Sequence, residues 1–224
     1  MDAVIIGAGG HGRVVLDILR AEGRHNVVGF LDADPALAGT TVGGTDGLPV
    51  IGRVNQFPRL REQGVRGAIV AIGESRARRR YAQLILDNGF ELISTCHPSA
   101  VVSPSATIAR NVVIAPNAVI GPEAQIGDSA IVNTACIIEH ECRIGPGAHI
   151  CPAAALAGRV NIGQCAFIGL GSRIIQCLAV GDDAIVGAGA VVIADVPAGA
   201  TVVGVPARVI KTGQPQGVHE FAFP

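Results

Sequence analysis

Residues 118–132 read AVIGPEAQIGDSAIV, and in this stretch an aliphatic residue returns at every sixth position. The same spacing runs without a break from Val102 to Val192, which makes sixteen consecutive hexads. Most hexads also carry a small residue two positions before the aliphatic one, as at Ala118 and Ala124. A period of six excludes an α-helix, whose apolar stripe has a period of 3.6 residues. Such hexads are the signature of a parallel β-helix.

The repeat also predicts the packing inside this β-helix. Each hexad supplies one short strand and one tight corner, so that the large aliphatic side chain fills the interior and the small one sits where two walls converge. Stacked coils then bury a continuous core. We predict a β-helix domain over residues 99–210, followed by a tail at 211–224 without periodic signal. Cys136 and Cys142 fall at small inward positions, which disfavours a nucleophilic cysteine.

The first part of the chain, residues 1–98, alternates strand-like and helix-like segments. Strands are predicted at 4–6, 27–32, 67–72 and 91–95, and helices at 13–21, 56–63 and 74–88. This alternation predicts a small α/β domain with a parallel sheet and helical crossovers.

A nucleotide-binding fingerprint lies at the start of this domain. Gly7, Gly9 and Gly12 match G-x-G-x-x-G, and Asp32 follows Gly12 by twenty residues. In a Rossmann-like domain these glycines let the backbone approach a diphosphate at a helix N-terminus, and the acid accepts from ribose hydroxyls. An NAD site, a nucleotide-sugar site and a tight turn without a ligand are the three interpretations. Because a β-helix takes the place of the substrate domain that hydride transfer needs, we favour the nucleotide sugar.

Composition excludes several classes of function. Hydrophobic residues make up 49% of the 224 residues, so the chain is not a disordered protein. A formal net charge of −1 and an aromatic content of 3% provide neither a basic field nor a stacking platform for nucleic acid. No apolar run is long enough to span a bilayer, and the first residues lack the pattern of a signal peptide. We therefore predict a cytoplasmic protein without a membrane span.

His140 is the strongest candidate for chemistry within the repeat, since its position in the hexad predicts an outward corner. An imidazole suits removal of a proton when an amine attacks a thioester. Gly158 lies one predicted coil later, where the missing side chain leaves room for a thioester and the N–H can face its oxyanion. Glu141 would orient His140 only if the corner turns its side chain back, and Glu139 is the other candidate. The alternative for His140 is an ordinary solvated corner residue.

Together these motifs resemble the bacterial sugar-nucleotide acetyltransferases of the hexapeptide-repeat class, which N-acetylate a 4-amino sugar on UDP or GDP. Sialic-acid O-acetyltransferases share the layout. The resemblance covers about residues 2–210. Its motifs are Gly9-Gly-His11, Leu31-Asp32, Ala71-Ile-Gly73, His97-Pro-Ser-Ala100, Asn133-Thr134, Glu139-His-Glu141 and Gly204-Val-Pro-Ala207. It implies a left-handed β-helix, a homotrimer, and acetyl-CoA bound between neighbouring helices without a metal.

The resemblance also implies roles for individual residues. His140 would take the proton from the sugar amine, and Glu141 would orient it. The residues implied to bind the sugar nucleotide are Gly9, Gly10, His11, Asp32, Asp34, Gly73, Arg78 and Asn133. Those implied to bind acetyl-CoA are His149, Gly158, Leu170, Ala188 and Arg208. From the residues alone, Arg78 could equally lie on a solvated helix face, Asp34 could be a turn acid, and His149 a surface histidine.

Three other functions stay open at this point. O-acetylation of a sugar such as sialic acid would use the same base, because His140 serves either nucleophile. A zinc hydratase needs three histidine ligands, but the repeat contains only His140 and His149. A non-catalytic protein that binds nucleotide sugars would leave His140 and Gly158 without a purpose. We therefore predict an acetyl-CoA-dependent N-acetyltransferase that acts on a nucleotide-linked 4-amino sugar.

Overall fold

The computed structural model describes residues 1–213, which form an α/β domain followed by a three-sided parallel β-helix. The predicted tail at 211–224 therefore lies almost entirely outside the described residues.

The α/β domain is built on a sheet that is buried on both faces. Its strands are β1 (Asp2–Ile6), β2 (Asn26–Leu31), β3 (Thr41–Val42), β4 (Leu48–Gly52), β5 (Gly67–Val70) and β6 (Glu91–Leu92), and its helices are α1 (Gly10–Glu22), α2 (Phe57–Glu62) and α3 (Ser75–Asp87). The strand order is β3-β4-β2-β1-β5-β6, and every pair except β3–β4 is parallel. Ala3 and Ile5 pack with α1, whereas Val4 and Ile6 pack with α2 and α3. Burial on both faces explains why β1 is continuously apolar.

The β-helix has three faces, each a stack of short parallel strands. Face I contains β7 (Thr95–Cys96), β10 (Val113–Ile114), β13 (Ile131–Val132), β16 (His149–Ile150), β19 (Phe167–Ile168), β22 (Ile185–Val186) and β24 (Thr201–Val203), with β25 (Arg208–Lys211) antiparallel at its end. Face II contains β8 (Val101–Val102), β11 (Val119–Ile120), β14 (Ile137–Ile138), β17 (Ala155–Leu156), β20 (Arg173–Ile174) and β23 (Val191–Val192). Face III contains β9 (Thr107–Ile108), β12 (Gln125–Ile126), β15 (Arg143–Ile144), β18 (Asn161–Ile162) and β21 (Ala179–Val180). We name the edges by the faces that they join.

Each coil takes eighteen residues, so equivalent positions stack directly. Ile120 pairs with Ile138, which pairs with Leu156, and none of the three is more than 1% exposed. The third residue of most corners has a φ between +54° and +62° in the left-handed region, which closes the turn. Cys136 and Cys142 are buried, which confirms the predicted inward positions.

Strands β3 and β4 were not predicted from the sequence, and several element boundaries differ from the prediction. The strand predicted at 91–95 is divided, because β6 belongs to the α/β sheet whereas Thr95 already pairs with Val113 of face I. The β-helix therefore begins before residue 99. Helix α1 starts at Gly10 rather than at residue 13. Glycines usually interrupt a helix, but the tight turn before α1 requires them and places them in its first turn.

A packed seam joins the two domains. Val113 and Ala115 of the β-helix lie in the same apolar cluster as Ile5 of the α/β sheet. The buried side chain of Asn111 accepts from the Val70 N–H at 2.8 Å, and its Nδ2 donates to a serine hydroxyl of the β-helix at 2.9 Å. Buried polar groups with full hydrogen bonding fix a unique arrangement, so face I is held against the α/β domain.

Candidate active site

His140 and Glu141 lie at edge II/III and form a hydrogen-bonded pair. Glu141 has a φ of +60°, and this left-handed corner turns its side chain back toward its neighbour. As a result, His140 Nδ1 lies 2.8 Å from Glu141 Oε2. The sequence required the corner to turn the Glu141 side chain back if it is to orient His140, and the structure has this turn. Within residues 1–213, Glu139 makes no hydrogen bond with His140. Both members of the pair are exposed, so a ligand can reach them.

Two cationic or donor groups act on the Glu141 carboxylate. Hydrogen bonds from His140 and from Arg159, whose Nε lies 3.0 Å from the same Oε2, hold the pKa of Glu141 below its usual value. A charged carboxylate at Nδ1 favours the tautomer with the proton there, which leaves the Nε2 lone pair free. Arg159 was not among the site residues predicted from the sequence, although it follows Glu141 by the same eighteen residues that separate Gly158 from His140.

Gly158 lies against the imidazole of His140. A Cβ added at Gly158 would be 2.5 Å from His140 Cε1. The missing side chain therefore makes room for the imidazole ring, whereas the sequence had suggested room for a thioester. The Gly158 N–H makes no hydrogen bond within the described chain. The equivalent positions two and three coils earlier are Pro122 and Pro104, which have no N–H. This corner position therefore leaves a free donor wherever it is not proline.

The glycines of the fingerprint fall into two groups. A Cβ at Gly7, whose φ is +106°, would lie 2.8 Å from the Ala71 carbonyl oxygen, and one at Gly12 would collide with the Gly7 carbonyl. These two glycines are required by the turn. A Cβ at Gly9 or Gly10 would meet nothing within 4 Å. Gly9 and Gly10 therefore border open space at the N-terminus of α1, where anions bind favourably.

Asp32 and Asp34 shape the loops around this space. Asp32 accepts from the Ala8 N–H at 2.7 Å and from the Asp34 N–H at 2.9 Å. The Asp34 carboxylate accepts from the Ala36 N–H at 2.8 Å and caps the short 3₁₀ turn Pro35–Leu37. Asp34 thus has the position of the turn acid that the sequence left as an alternative, and its predicted contact with a ribose stays a prediction.

A cavity of about 430 Å³ opens beside the fingerprint loop. Polar groups reach it from Asp32, Arg53 and Tyr81, and apolar groups from Leu31 and Val54. Its volume lies in the range of small-molecule sites, so the fingerprint has a space that a nucleoside can enter.

Arg78 differs from its prediction, because it is completely buried in the seam between the domains. Its five N–H donors face five acceptors: the carbonyl oxygens of Ile72, Gly73, Ser129 and Gly147, and the hydroxyl of Ser75. Burial lowers the pKa of Arg78 to about 10. With no donor left over, Arg78 neither lies on a solvated face nor reaches a diphosphate, and it connects the domains instead. The carbonyl of Gly73 is engaged in this way, while its Cα faces open space.

His11, Asn133 and His149 come together at the same seam. Asn133 Nδ2 lies 3.1 Å from His149 Nε2, and the His149 ring stands edge-on to Phe167 with the centroids 5.4 Å apart. His11 Nε2 and His149 Nδ1 are buried and have no hydrogen-bond partner within residues 1–213. Burial, followed by the charge of Arg78, lowers the pKa of His11 to about 4 and that of His149 to about 3. His149 is therefore not the surface histidine that the sequence allowed.

The other residues implied to bind acetyl-CoA are distributed over two edges. Leu170 and Ala188 are exposed at edge I/II, and Arg208 is exposed on β25, whereas Gly158 belongs to edge II/III. Face II separates these edges, and its outer surface carries exposed apolar side chains, including Val101 (64%) and Ile137 (39%). A single chain cannot line one groove with both edges.

The cysteines and the other possible metal ligands are distributed over the described residues as follows. Burial raises the pKa of Cys136 to about 12 and also raises that of Cys142. Within residues 1–213 no three His, Cys, Asp or Glu side chains gather closely enough to hold a metal ion.

Over the same range no helix has the length and apolar character needed to cross a bilayer.

Comparison with known proteins gives matches to both domains. Residues 2–85 match the PglD N-terminal domain. The chain is 43% identical to PerB from Caulobacter crescentus, solved with CoA and GDP-perosamine, over 94% of this chain and 98% of that one, with a TM-score of 0.88. It is 36% identical to the acetyltransferase domain of PglB from Neisseria gonorrhoeae, over 93% and 99% of the two chains, with a TM-score of 0.85. For WeeI from Acinetobacter baumannii the identity is 28%, the coverage 94% and 100%, and the TM-score 0.80. The stacked parallel sheets accordingly fit the left-handed β-helix of acetyltransferases.

Shorter matches occur among enzymes with other acceptors. The chain is 38% identical over 66 residues to serine acetyltransferase from Mycobacterium tuberculosis. It is 44% identical over 71 residues to 2,3,4,5-tetrahydropyridine-2,6-dicarboxylate N-acetyltransferase from Staphylococcus aureus. The matched part spans less than a third of the length of these two relatives.

Proposed function

Because the chain belongs to the sugar-nucleotide N-acetyltransferases that include perosamine N-acetyltransferase, we propose that it transfers the acetyl group of acetyl-CoA to the amino group of a nucleotide-linked 4-amino sugar. It is an acyltransferase, and acetyl-CoA is its co-substrate. The observation that carries the proposal is the His140–Glu141 pair beside the free N–H of Gly158, at an edge that ligands can reach.

In this mechanism His140 is the general base. Glu141 holds the Nδ1 proton, so the Nε2 lone pair is available to the acceptor. The sugar amine attacks the thioester carbonyl, and Nε2 removes the proton that nitrogen loses as the C–N bond forms. The Gly158 N–H stabilises the oxyanion of the tetrahedral intermediate. The C–S bond then breaks, and the imidazolium returns its proton to the CoA thiolate.

The α/β domain is the nucleotide-binding part of the enzyme and is Rossmann-like. The open surface at Gly9 and Gly10 accepts the diphosphate at the N-terminus of α1, and the cavity beside Asp32 accepts the nucleoside. His11 and Asn133 then face the sugar from the seam. UDP, GDP and dTDP all fit this scheme, so the base has to be identified by assay.

The active form is a homotrimer in which acetyl-CoA lies between neighbouring β-helices. The apolar outer surface of face II, with Val101 and Ile137, supports association. Association would also bring edge II/III of one copy, with Gly158, next to edge I/II of another, with Leu170 and Ala188. Analytical ultracentrifugation tests this directly, since a monomer at assay concentration would exclude a shared site. Cytoplasmic localisation stays a prediction of the sequence.

A CoA-release assay tests the reaction. Acetyl-CoA is offered with UDP-, GDP- and dTDP-linked 4-amino sugars and with free sialic acid, using the wild type and His140→Ala. We expect fast thiol release with one nucleotide-linked acceptor and its loss in the variant. Release with sialic acid alone would replace N-acetylation by O-acetylation. Full activity of His140→Ala would support the proposed reaction but exclude His140 as the base.

A further inference from the structure

We propose that Arg159 is a positioning residue for the base: it holds the Glu141 carboxylate against Nδ1 of His140. This inference rests on the proposed role of His140.

The geometry of edge II/III carries the inference. Arg159 Nε lies 3.0 Å from Glu141 Oε2, the same oxygen that lies 2.8 Å from His140 Nδ1. Glu141 and Arg159 occupy equivalent corners of successive coils, and both have a φ of +60°. The Arg159 N–H donates to the His140 carbonyl at 2.9 Å, so the two corners stack directly. The guanidinium is therefore delivered to the carboxylate by the β-helix ladder rather than by a mobile loop.

The charges around the pair define what Arg159 does. Glu139 lies in the same corner as His140, and Glu123 lies at the equivalent of Glu141 one coil earlier. Arg159 is the cation that contacts Glu141 at this acidic edge. Without it, the carboxylate would lose one of its two hydrogen-bond partners and would be free to rotate away from His140.

The size of this effect follows from the two contacts. The hydrogen bonds place Arg159 Nε less than 6 Å from His140 Nδ1. A carboxylate free to rotate orients the imidazole less well, and we expect kcat to fall roughly tenfold.

Kinetics distinguish positioning from direct binding of CoA. Arg159→Met is expected to lower kcat roughly tenfold and to leave both KM values unchanged. Arg159→Lys keeps a cation that can donate to Glu141, so kcat should recover in part. Arg143→Met, on the outer side of face III, is the matched control and should behave as the wild type. A rise confined to the KM for acetyl-CoA would assign Arg159 to the cofactor and overturn the inference.

A measurement without substrate separates this inference from the proposed function. In the whole protein with labelled histidine nitrogens, the NMR signals that His140→Ala removes report which ring nitrogen of His140 carries the proton. Arg159→Met should lower the share of the Nδ1–H tautomer, and the same substitution in Glu141→Gln should have a much smaller effect on kcat. An unchanged tautomer together with wild-type kcat would refute the role of Arg159 whatever the acceptor is. If His140→Ala kept full activity, the assignment of the base would be wrong, while the tautomer measurement would still test Arg159.

Discussion

The contact between Gly158 and His140 predicts that a small substitution at residue 158 lowers catalytic activity and leaves the fold intact. In Gly158→Ala the new Cβ would lie 2.5 Å from His140 Cε1, whereas an ordinary contact begins at 3.4 Å. The imidazole must therefore move by about 0.9 Å. Gly158 does not have a positive φ, so alanine causes no backbone strain at this position.

We expect this displacement to lower kcat roughly a hundredfold, because a shift of about 1 Å in a catalytic group costs that much. The same movement lengthens the 2.8 Å contact of His140 with Glu141. Stability should change by less than about 1 kcal/mol, since the exposed ring can turn into solvent.

The assay is CoA release at saturating acetyl-CoA and acceptor, with urea denaturation as the measure of stability. The control is the double-mutant cycle with His140→Ala, in which Gly158→Ala should cause little further loss because the clashing ring is gone. Wild-type kcat in Gly158→Ala would show that the ring position does not limit the reaction. A large loss of stability would show that Gly158 has a structural role that we have not recognised.

Three further predictions concern the seam and face II. Arg78→Met leaves buried carbonyls without donors, so the free energy of unfolding in urea should fall by about 3–5 kcal/mol, and Arg78→Lys should recover only part of it; an unchanged midpoint would contradict the seam. Ile137→Glu should yield monomers in analytical ultracentrifugation with an unchanged circular dichroism spectrum, and a persisting trimer would exclude face II as the interface. The pKa values of His11 and His149 are lowered to about 4 and about 3, so below pH 6.5 the unfolded chain binds protons that the folded chain does not. The free energy of unfolding should therefore be highest above pH 6.5 and fall toward pH 4 by at most about 1.4 kcal/mol per pH unit for each histidine. His149→Gln should reduce the slope of the free energy of unfolding against pH, and an equal slope would refute the lowered pKa of His149.

The β-helix and the edge that carries His140 were predictable because they depend on local spacing. An inward aliphatic residue every six positions and a coil of eighteen residues suffice to stack Gly158 on His140. The same arithmetic would have found Arg159 above Glu141, but charge at a corner carries no periodic signal of its own.

The residues of the seam could not be predicted in this way. Arg78 stands in a run of three arginines, Arg78 to Arg80, and the docking of the domains decides which one is buried. His149 occupies an outward position in its hexad, which suggests solvent exposure. The α/β domain covers that part of face I, and burial then changes its protonation. Both outcomes depend on contacts between distant segments, which a repeat within one segment does not encode.

The geometry of the corners explains why the residues implied to bind acetyl-CoA have so little in common. Gly158, Leu170 and Ala188 all occupy the second position of a corner, and their N–H groups make no hydrogen bond within the described residues. Proline occupies this position in other coils, as at Pro122 and Pro152, because the ladder does not need a donor there. What these three residues share is thus a free backbone donor rather than a side chain. The pantetheine arm of CoA contains amide carbonyls that require such donors, so a groove between edge II/III of one copy and edge I/II of another could bind it without a conserved type of side chain.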